Sequence, residues 1–165
     1  EIRGALRDAG WIDLSGRTVE LHRDQSRLIL CGNERPWMGT LPNLSTADPA
    51  LFRVLLSHSP DQIRWARQQG IDLMLAGHTH GGQIRLPILG PVYSPSIHGC
   101  RYASGVFWEA PTLLSVSRGV SGREPIRYLC RPEVTKLVLR TPAQLRETMP
   151  GNASKTTSTF VGSGE

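Results

Sequence analysis

The sequence predicts an α/β protein with parallel strands, and the prediction depends on one strand–helix–strand unit. Residues 54–57 and 71–76 are short apolar runs, which are typical of buried strands. Residues 59–61 (SPD) between them combine a capping residue, a proline and an acidic first turn, so they predict the start of a helix over residues 60–69. A crossover of this kind makes the two strands parallel in most cases.

Local signals predict the remaining elements. A helix is expected over residues 1–9, and loops are expected over residues 38–50 and 84–96. Further strands are predicted at residues 11–14, 18–22, 27–31, 102–108, 112–117 and 134–139. We expect a domain portion over residues 1–140 and a disordered tail over residues 141–165, because the Ser-, Thr- and Gly-rich end lacks hydrophobic periodicity.

Three histidines follow the strands of the crossover unit. His58 comes directly after the first strand, and His78 and His80 follow the second, within residues 75–83 (LAGHTHGGQ). Carboxyl ends of parallel strands meet at one edge of a sheet, so we expect the three imidazoles to converge there. Imidazole is a good ligand for Zn, Fe and related metals, and the two glycines let the backbone approach whatever the metal holds. Two surface histidines before an ordinary glycine turn are the alternative interpretation.

Residues 57–61 (SHSPD) and 77–83 (GHTHGGQ) resemble the last two metal-binding blocks of the calcineurin-like metallophosphoesterases. Further segments resemble the bacterial subgroup of that family that ends in GHTHGGQ: residues 86–91 (LPILGP), 117–119 (SRG), 125–127 (PIR) and 130–133 (CRPE). The resemblance covers roughly residues 1–140. It implies the carboxyl-terminal half of a two-sheet α/β (α-β-β-α) sandwich with mixed sheets.

The resemblance also implies hydrolysis of phosphodiesters or phosphomonoesters by a hydroxide activated between two divalent metal ions, which are Mn, Fe or Zn. It assigns His58 and His78 to one metal and His80 to the other. The earlier ligand blocks of the family, Asp-x-His, Gly-Asp and Gly-Asn-His-Asp or Glu, do not occur, and residues 32–34 (GNE) lack the histidine. We therefore expect the chain to supply only part of the ligands and no leaving-group acid. Alone, it is expected to be inactive and marginally stable.

Two other classes of function remain open. One is a non-enzymatic metal-binding or interaction module that retains the histidines. The other is a mononuclear zinc hydrolase that uses His58, His78 and His80, with Asp61 as the nearby carboxylate. Arg118 is a candidate for substrate binding at the end of a predicted strand, because a guanidinium pairs bidentately with phosphate oxygens. A surface arginine at a turn is the alternative for that residue.

Charge and composition restrict the partners. The formal net charge of +5 comes from dispersed arginines, so a phosphate-ester substrate, including a lipid-linked one, is favoured and a nucleic-acid groove is not expected. No apolar run reaches about 18 residues, so no transmembrane segment is expected, and the predicted location is cytoplasmic or peripheral to a membrane. Three cysteines without CxxC spacing favour a reducing compartment.

Overall fold

A six-stranded mixed sheet organises the computed structural model, which describes residues 2–122, 126–142 and 144. The strands are β1 Arg17–Arg23, β2 Ser26–Asn33, β3 Phe52–Ser57, β4 Leu73–Ala76, β5 Arg85–Leu86, β6 Gly90–Pro91, β7 Gly105–Glu109 and β8 Thr112–Val116. The helices are α1 Ile2–Asp8 and α2 Ile63–Gln68, with short 3₁₀ turns at Pro60–Gln62, His80–Gly82 and Gly99–Tyr102. All of these elements lie in the first of two units, which ends at Thr135.

The strand order is β1-β2-β3-β4-β8-β7, and the four central strands β2, β3, β4 and β8 are parallel. The two outer strands run antiparallel to their neighbours. The structure confirms the predicted α/β class. It also confirms the mixed sheet and the parallel crossover from β3 to β4. Asn33, Ser57, Ala76 and Val116 form one row across the sheet, so the central strands all end at the same edge. β5 and β6 form a separate two-stranded sheet.

The core lies between one face of the large sheet and α2. Leu55, Met74 and Leu114 are neighbours in register on this face and are fully buried. They pack with α2, whose apolar positions follow helical periodicity. On the opposite face Leu56 is 39% exposed and Val106 is 66% exposed. Successive residues of a strand point to opposite faces of the sheet, and both faces here carry apolar side chains. Only the face that contacts α2 is packed.

The strand predicted at residues 134–139 is wrong, because that segment is irregular in the structure. Apolar alternation indicates which face a strand would bury, but a strand also needs a neighbour, and within the described residues none pairs with this segment. The strand predicted at residues 11–14 is also absent, apart from one bridge between Ser15 and Gly32. β2 already pairs with β1 along one edge and with β3 along the other, so few of its main-chain groups are left to pair with a further strand.

Two further boundaries differ from the sequence prediction. Residues 102–108 do not form one strand, because a 3₁₀ turn at Gly99–Tyr102 delays β7 until Gly105. Residues 84–96, predicted as loop, contain the ribbon of β5 and β6. The predicted tail beyond residue 144 lies outside the described residues. None of the helices in the described part has the length and apolarity needed to cross a bilayer.

Candidate metal centre

The candidate site lies at the edge where the four parallel strands end. His58 follows β3 directly, and its N–H donates to the carbonyl of Asn33 at the end of β2, with a distance of 3.2 Å. The loop of residues 77–83 leaves β4, and Arg118 lies two residues beyond β8. The topology therefore brings all four residues predicted for the site to one edge, as expected for ligand sites in open α/β sheets.

His58 and His78 are in direct contact. The Nε2 atom of His58 lies 3.1 Å from Nδ1 of His78, and the ring centroids are 4.6 Å apart. Two nitrogens at this separation, each about 2.0–2.1 Å from a common Zn²⁺ ion, would subtend an angle of roughly 100° at the ion. That angle is close to the tetrahedral value, so the pair fits two ligands of one metal. Trp37 presents its ring edge-on to His78, with centroids 6.0 Å apart.

His80 lies on the same loop but does not complete a three-histidine cluster. Its imidazole lies near the main chain of Ser121. Within residues 2–122, 126–142 and 144, no three His, Cys, Asp or Glu side chains form a group that could hold a metal ion. The structure thus brings together two of the three predicted ligands and places the third at the same edge.

Partial desolvation favours the neutral form of His58, whose side chain is exposed, and of the half-buried His80. It is the main cause that lowers the pKa of His58 below its usual range, and the neighbouring His78 lowers it further. The pKa of His80 is also lowered, first by burial and then by the guanidinium of Arg127. A metal binds the neutral imidazole, so this environment reduces the competition from protons.

The histidine loop, residues 77–83, has an unusual backbone. His78, His80 and Gln83 have φ angles of 71°, 51° and 51°, in the left-handed region that residues with a Cβ rarely adopt. Such conformations persist only where the surroundings impose them. One support is Thr79, which is 1% exposed and donates its hydroxyl hydrogen to the carbonyl of Ala103 at 2.7 Å.

The two glycines of the loop are required by close approach of the chain to itself. A Cβ on Gly81 would lie 2.6 Å from Sγ of Cys130, and a Cβ on Gly82 would lie 2.6 Å from Cβ of Pro91. Both glycines also have positive φ, 68° and 81°. The sequence argument assigned these glycines to close approach of a ligand, whereas the structure shows close approach of Cys130, Pro91 and the Tyr93 carbonyl.

Arg127 supports this loop and was assigned no role from sequence. Its half-buried guanidinium reaches across several segments that are distant in the chain. It donates to main-chain carbonyls of His80 at 3.3 Å, Cys130 at 3.5 Å, Arg118 at 2.9 Å, Gly119 at 3.3 Å, and Ser121. A single arginine in a loop gives no local signal of such a role. Its place in a segment that resembles the family, residues 125–127, was the one hint that the sequence carried.

Arg118 lies at the predicted edge, but its side chain already has partners. Its main-chain N–H donates to Oε1 of Glu133 at 2.9 Å, and its Nε lies 3.6 Å from Oε2 of the same carboxylate. The Nε also lies 3.4 Å from Oγ of Ser104. Phosphate binding by Arg118 stays a prediction. It requires the guanidinium to donate to a phosphate oxygen while Glu133 lies beside it.

Two other residues near the site differ from the sequence interpretation. Asn33, dismissed as part of a ligand block, is buried next to His58, and its amide nitrogen makes no hydrogen bond within the described residues. Asp61, named as the carboxylate of a mononuclear site, instead accepts hydrogen bonds from Oγ of Ser96 at 2.6 Å and from the N–H of Ile97 at 3.2 Å. Asp61 therefore fixes the loop over residues 96–97.

Curated proteins similar to this chain include a metallophosphoesterase, a phosphodiesterase and a pyrophosphatase. YkuE of Bacillus subtilis, an uncharacterized metallophosphoesterase, is 39% identical over 113 residues, which are 68% of this chain and 38% of that protein. The phosphodiesterase YaeI of Escherichia coli is 34% identical over 134 residues, which are 81% of this chain and 49% of YaeI. The UDP-2,3-diacylglucosamine pyrophosphatase LpxG of Chlamydia muridarum is 33% identical over 96 residues, 53% of this chain and 29% of LpxG.

The chain spans about half the length, or less, of these relatives. No protein-family model and no solved structure matches it significantly. The relatives named metallophosphoesterase or phosphodiesterase agree with the two histidine blocks and with the sheet edge that carries them. The chain belongs to the calcineurin-like metallophosphoesterase family.

Proposed function

We propose that this chain provides His58, His78 and His80 as ligands of a two-metal centre that hydrolyses phosphate esters. The observation that carries the proposal is the contact between His58 and His78, whose ring nitrogens are 3.1 Å apart at the common edge of β3 and β4. This spacing suits two ligands of one ion. His80, on the same loop, is the candidate ligand for the second ion.

The chemistry of the donors supports this assignment. Burial lowers the pKa values of His58 and His80, so neutral imidazoles are available near neutral pH. Bound divalent ions would supply Lewis-acid activation of water and stabilisation of phosphoryl charge. The contribution of this chain is to hold the imidazoles at the sheet edge. Two or three neutral ligands compensate little of the charge of two ions, so carboxylate ligands have to come from outside the described residues.

The names of the relatives and the charge of the chain support a substrate class. YaeI is named a phosphodiesterase, and LpxG is named a pyrophosphatase of a diacylated sugar nucleotide. With a formal net charge of +5, this chain suits an anionic substrate. We therefore propose a phosphodiester, a lipid-linked one among them, and a peripheral location at a membrane. Arg118 is the proposed contact to the phosphate oxygens.

The test is hydrolysis of bis-p-nitrophenyl phosphate with added Mn²⁺ by the full-length gene product and, separately, by the present 165 residues. We expect activity in the gene product that a chelator removes and Mn²⁺ restores. His78→Ala should reduce the rate to background, because it removes one half of the histidine pair. His22→Ala is the matched control, since His22 is an exposed histidine on β1 with a side chain that is 64% accessible.

Each result has a defined meaning. Equal rates in His78→Ala and His22→Ala would contradict the proposed centre. Activity of the 165 residues alone that depends on His78 would favour the mononuclear alternative with three histidines. Binding of Mn²⁺ without hydrolysis in the gene product, measured by calorimetry, would favour the non-enzymatic metal-binding module.

A further inference from the structure

A short apolar hairpin lies directly beside the histidine loop. β5 and β6 pair antiparallel, with Arg85 opposite Pro91 and Leu86 opposite Gly90. We call residues 84–93 the apolar ribbon. The ribbon follows the histidine loop without a break, and its side returns so close to Gly82 that a Cβ there would meet Pro91 at 2.6 Å. The ribbon and the histidine loop are therefore packed together.

The tip of the ribbon is strained and exposed. Ile88 and Leu89 are 106% and 78% exposed. The N–H of Leu89 donates to the carbonyl of Pro87 at 2.7 Å, which closes a three-residue turn around Ile88, and Ile88 has a φ of 68°. This form of three-residue turn is rare and strained, and a β-branched residue in it is an outlier. Glycine would adopt the same backbone at lower cost.

No contact among the described residues explains an isoleucine at this position. A fully exposed side chain adds no buried apolar area to the core, and its backbone conformation costs stability. The aliphatic pair at the tip therefore has its use outside the described part of the chain. Two adjacent aliphatic side chains at the end of a narrow hairpin suit insertion into a soft apolar phase better than docking on a flat protein surface.

The rest of the ribbon has the same character. Its other exposed apolar side chains are Ile84 at 45%, Leu86 at 41%, Val92 at 57% and Tyr93 at 69%. The sequence contains no Asp or Glu from residue 73 to residue 108, whereas Arg85 and Arg101 fall in this stretch. A segment that is apolar, free of carboxylates and part of a basic chain suits an anionic bilayer surface. A tyrosine ring behind the tip suits the level of the lipid headgroups.

We propose that the apolar ribbon is a membrane-docking element, which inserts Ile88 and Leu89 into the boundary of an anionic bilayer. Ile88 lies five residues beyond Gln83, so at most about 18 Å of extended chain separates the tip from the histidine loop. Docking would hold the candidate site at the depth of the headgroups. The inference uses the proposed function only for the identity of the site beside the ribbon.

The test is co-sedimentation of the full-length gene product with phosphatidylcholine vesicles that contain or lack a third of phosphatidylglycerol. We expect binding to the anionic vesicles, and we expect Ile88→Ser with Leu89→Ser to weaken it by about tenfold or more, because two aliphatic side chains leave the lipid. The matched control is Ile2→Ser with Leu6→Ser on α1. It removes the same two residue types at exposed positions, 79% and 42% accessible, and should leave binding unchanged.

A second variant separates membrane binding from a structural role of the turn. Ile88→Gly relieves the positive φ, so it should raise the midpoint of thermal unfolding while it weakens vesicle binding several-fold. If the turn had only a structural role, the stabilised Ile88→Gly variant would bind vesicles at least as well as the parent. The tip variants should be folded, as judged by circular dichroism, because neither side chain is buried.

Three results would overturn the proposal. The first is absence of binding to anionic vesicles, and the second is equal loss of binding in the tip and α1 variants. The third is a tip variant that loses self-association in light scattering but still binds vesicles, since the ribbon would then be an interface between two copies. Vesicle binding is measured without metal or substrate. Its failure therefore leaves the phosphoesterase proposal intact, and failure of the hydrolysis assay leaves this one intact.

Discussion

Two loops at the same sheet edge carry the candidate histidines, and they are built in opposite ways. The first loop, residues 57–61, joins β3 to α2 through ordinary local devices. Ser59 caps the following turn by accepting a hydrogen bond from the N–H of Asp61, and Pro60 occupies the first helical turn. The turn after His58 is therefore built by its neighbours in the chain, and His58 itself also bonds to the carbonyl of Asn33 on β2.

The second loop, residues 77–83, has main-chain hydrogen bonds of its own but depends on distant residues for its side-chain support. Its backbone passes repeatedly through the left-handed region, and its contacts come from residues far along the chain. Arg127 holds the His80 carbonyl, Cys130 donates its Sγ hydrogen to the same carbonyl at 3.3 Å, and Ala103 accepts from Thr79. The comparison teaches that the helix start after His58 is fixed by local sequence, whereas the shape of the histidine loop depends mainly on tertiary contacts.

Gly82→Ala should be the most damaging test of this difference. The new Cβ would lie 2.6 Å from Cβ of Pro91 and 2.8 Å from the carbonyl oxygen of Tyr93, at a φ of 81°. Overpacking against backbone and a strained φ together predict a loss of about 3 kcal/mol in the free energy of unfolding. Urea unfolding of the full-length gene product measures it.

Gly99→Ala is the control for the backbone conformation. Gly99 also has a positive φ, 56°, but a Cβ there would meet nothing within 4 Å. Its cost should be about 1–2 kcal/mol, the strain of a left-handed residue alone. Equal losses for the two variants would show that crowding around Gly82 contributes nothing.

Arg127→Met should be the next largest effect, and it should be local. Removing a guanidinium from several carbonyls leaves those acceptors without charged donors, so we expect a loss of about 2 kcal/mol. Hydrogen exchange should accelerate at the amides of Gly82 and Gln83, which bond within the histidine loop. The N–H of Ile71 donates to the carbonyl of Ala66 in α2, and its exchange rate, which should not change, is the internal reference.

Arg127→Lys distinguishes the shape of the side chain from its charge. An ammonium lacks the planar fork that reaches several carbonyls at once, so we expect Lys to recover only part of the protection. Full protection in Arg127→Lys, or uniform acceleration that includes Ile71, would contradict the idea that Arg127 specifically supports the histidine loop.

The contrast between the loops also explains what the sequence predicts. The parallel strands β3 and β4, the start of the helix and the edge position of His58, His78 and His80 all follow from local patterns. The clamp by Arg127 depends on residues that only the folded chain brings together, and no periodicity reports it. For the same reason the burial of Asn33 beside His58 and the pairing of Arg118 with Glu133 were missed.

Ser59→Ala tests the locally built loop and should cost less. Ser59 is fully buried, and its Oγ accepts the N–H of Asp61 at 3.3 Å. Loss of this cap predicts about 1 kcal/mol in the free energy of unfolding. Ser26→Ala, at an exposed position in β2, should change it by less than about 0.5 kcal/mol. A loss at Ser59 as large as that of Gly82→Ala would contradict the ranking of the two loops.

Glu109→Gln should have the smallest effect, one visible in the pH dependence of stability. The carboxylate accepts from the hydroxyl of Tyr102 at 2.5 Å and from Arg101 at 2.8 Å, and Tyr102 adjoins Ala103, the acceptor for Thr79. The hydrogen bond from Tyr102 is the main cause that lowers the pKa of Glu109 below its ordinary value of 4.5. A carboxyl with a lowered folded pKa stabilises the fold above the unfolded pKa and loses that contribution as the pH falls through the folded value.

Urea unfolding over the acid range therefore checks the sign. Glu109→Gln should be less stable than the parent near neutral pH, and the difference should shrink as the pH falls below 4.5, the ordinary value for the carboxyl. Tyr102→Phe removes the hydroxyl donor from the same pair, so its pH dependence should be similar and the two effects should not add. A difference that grows with acid, or full additivity, would contradict a stabilising hydrogen bond between Tyr102 and Glu109.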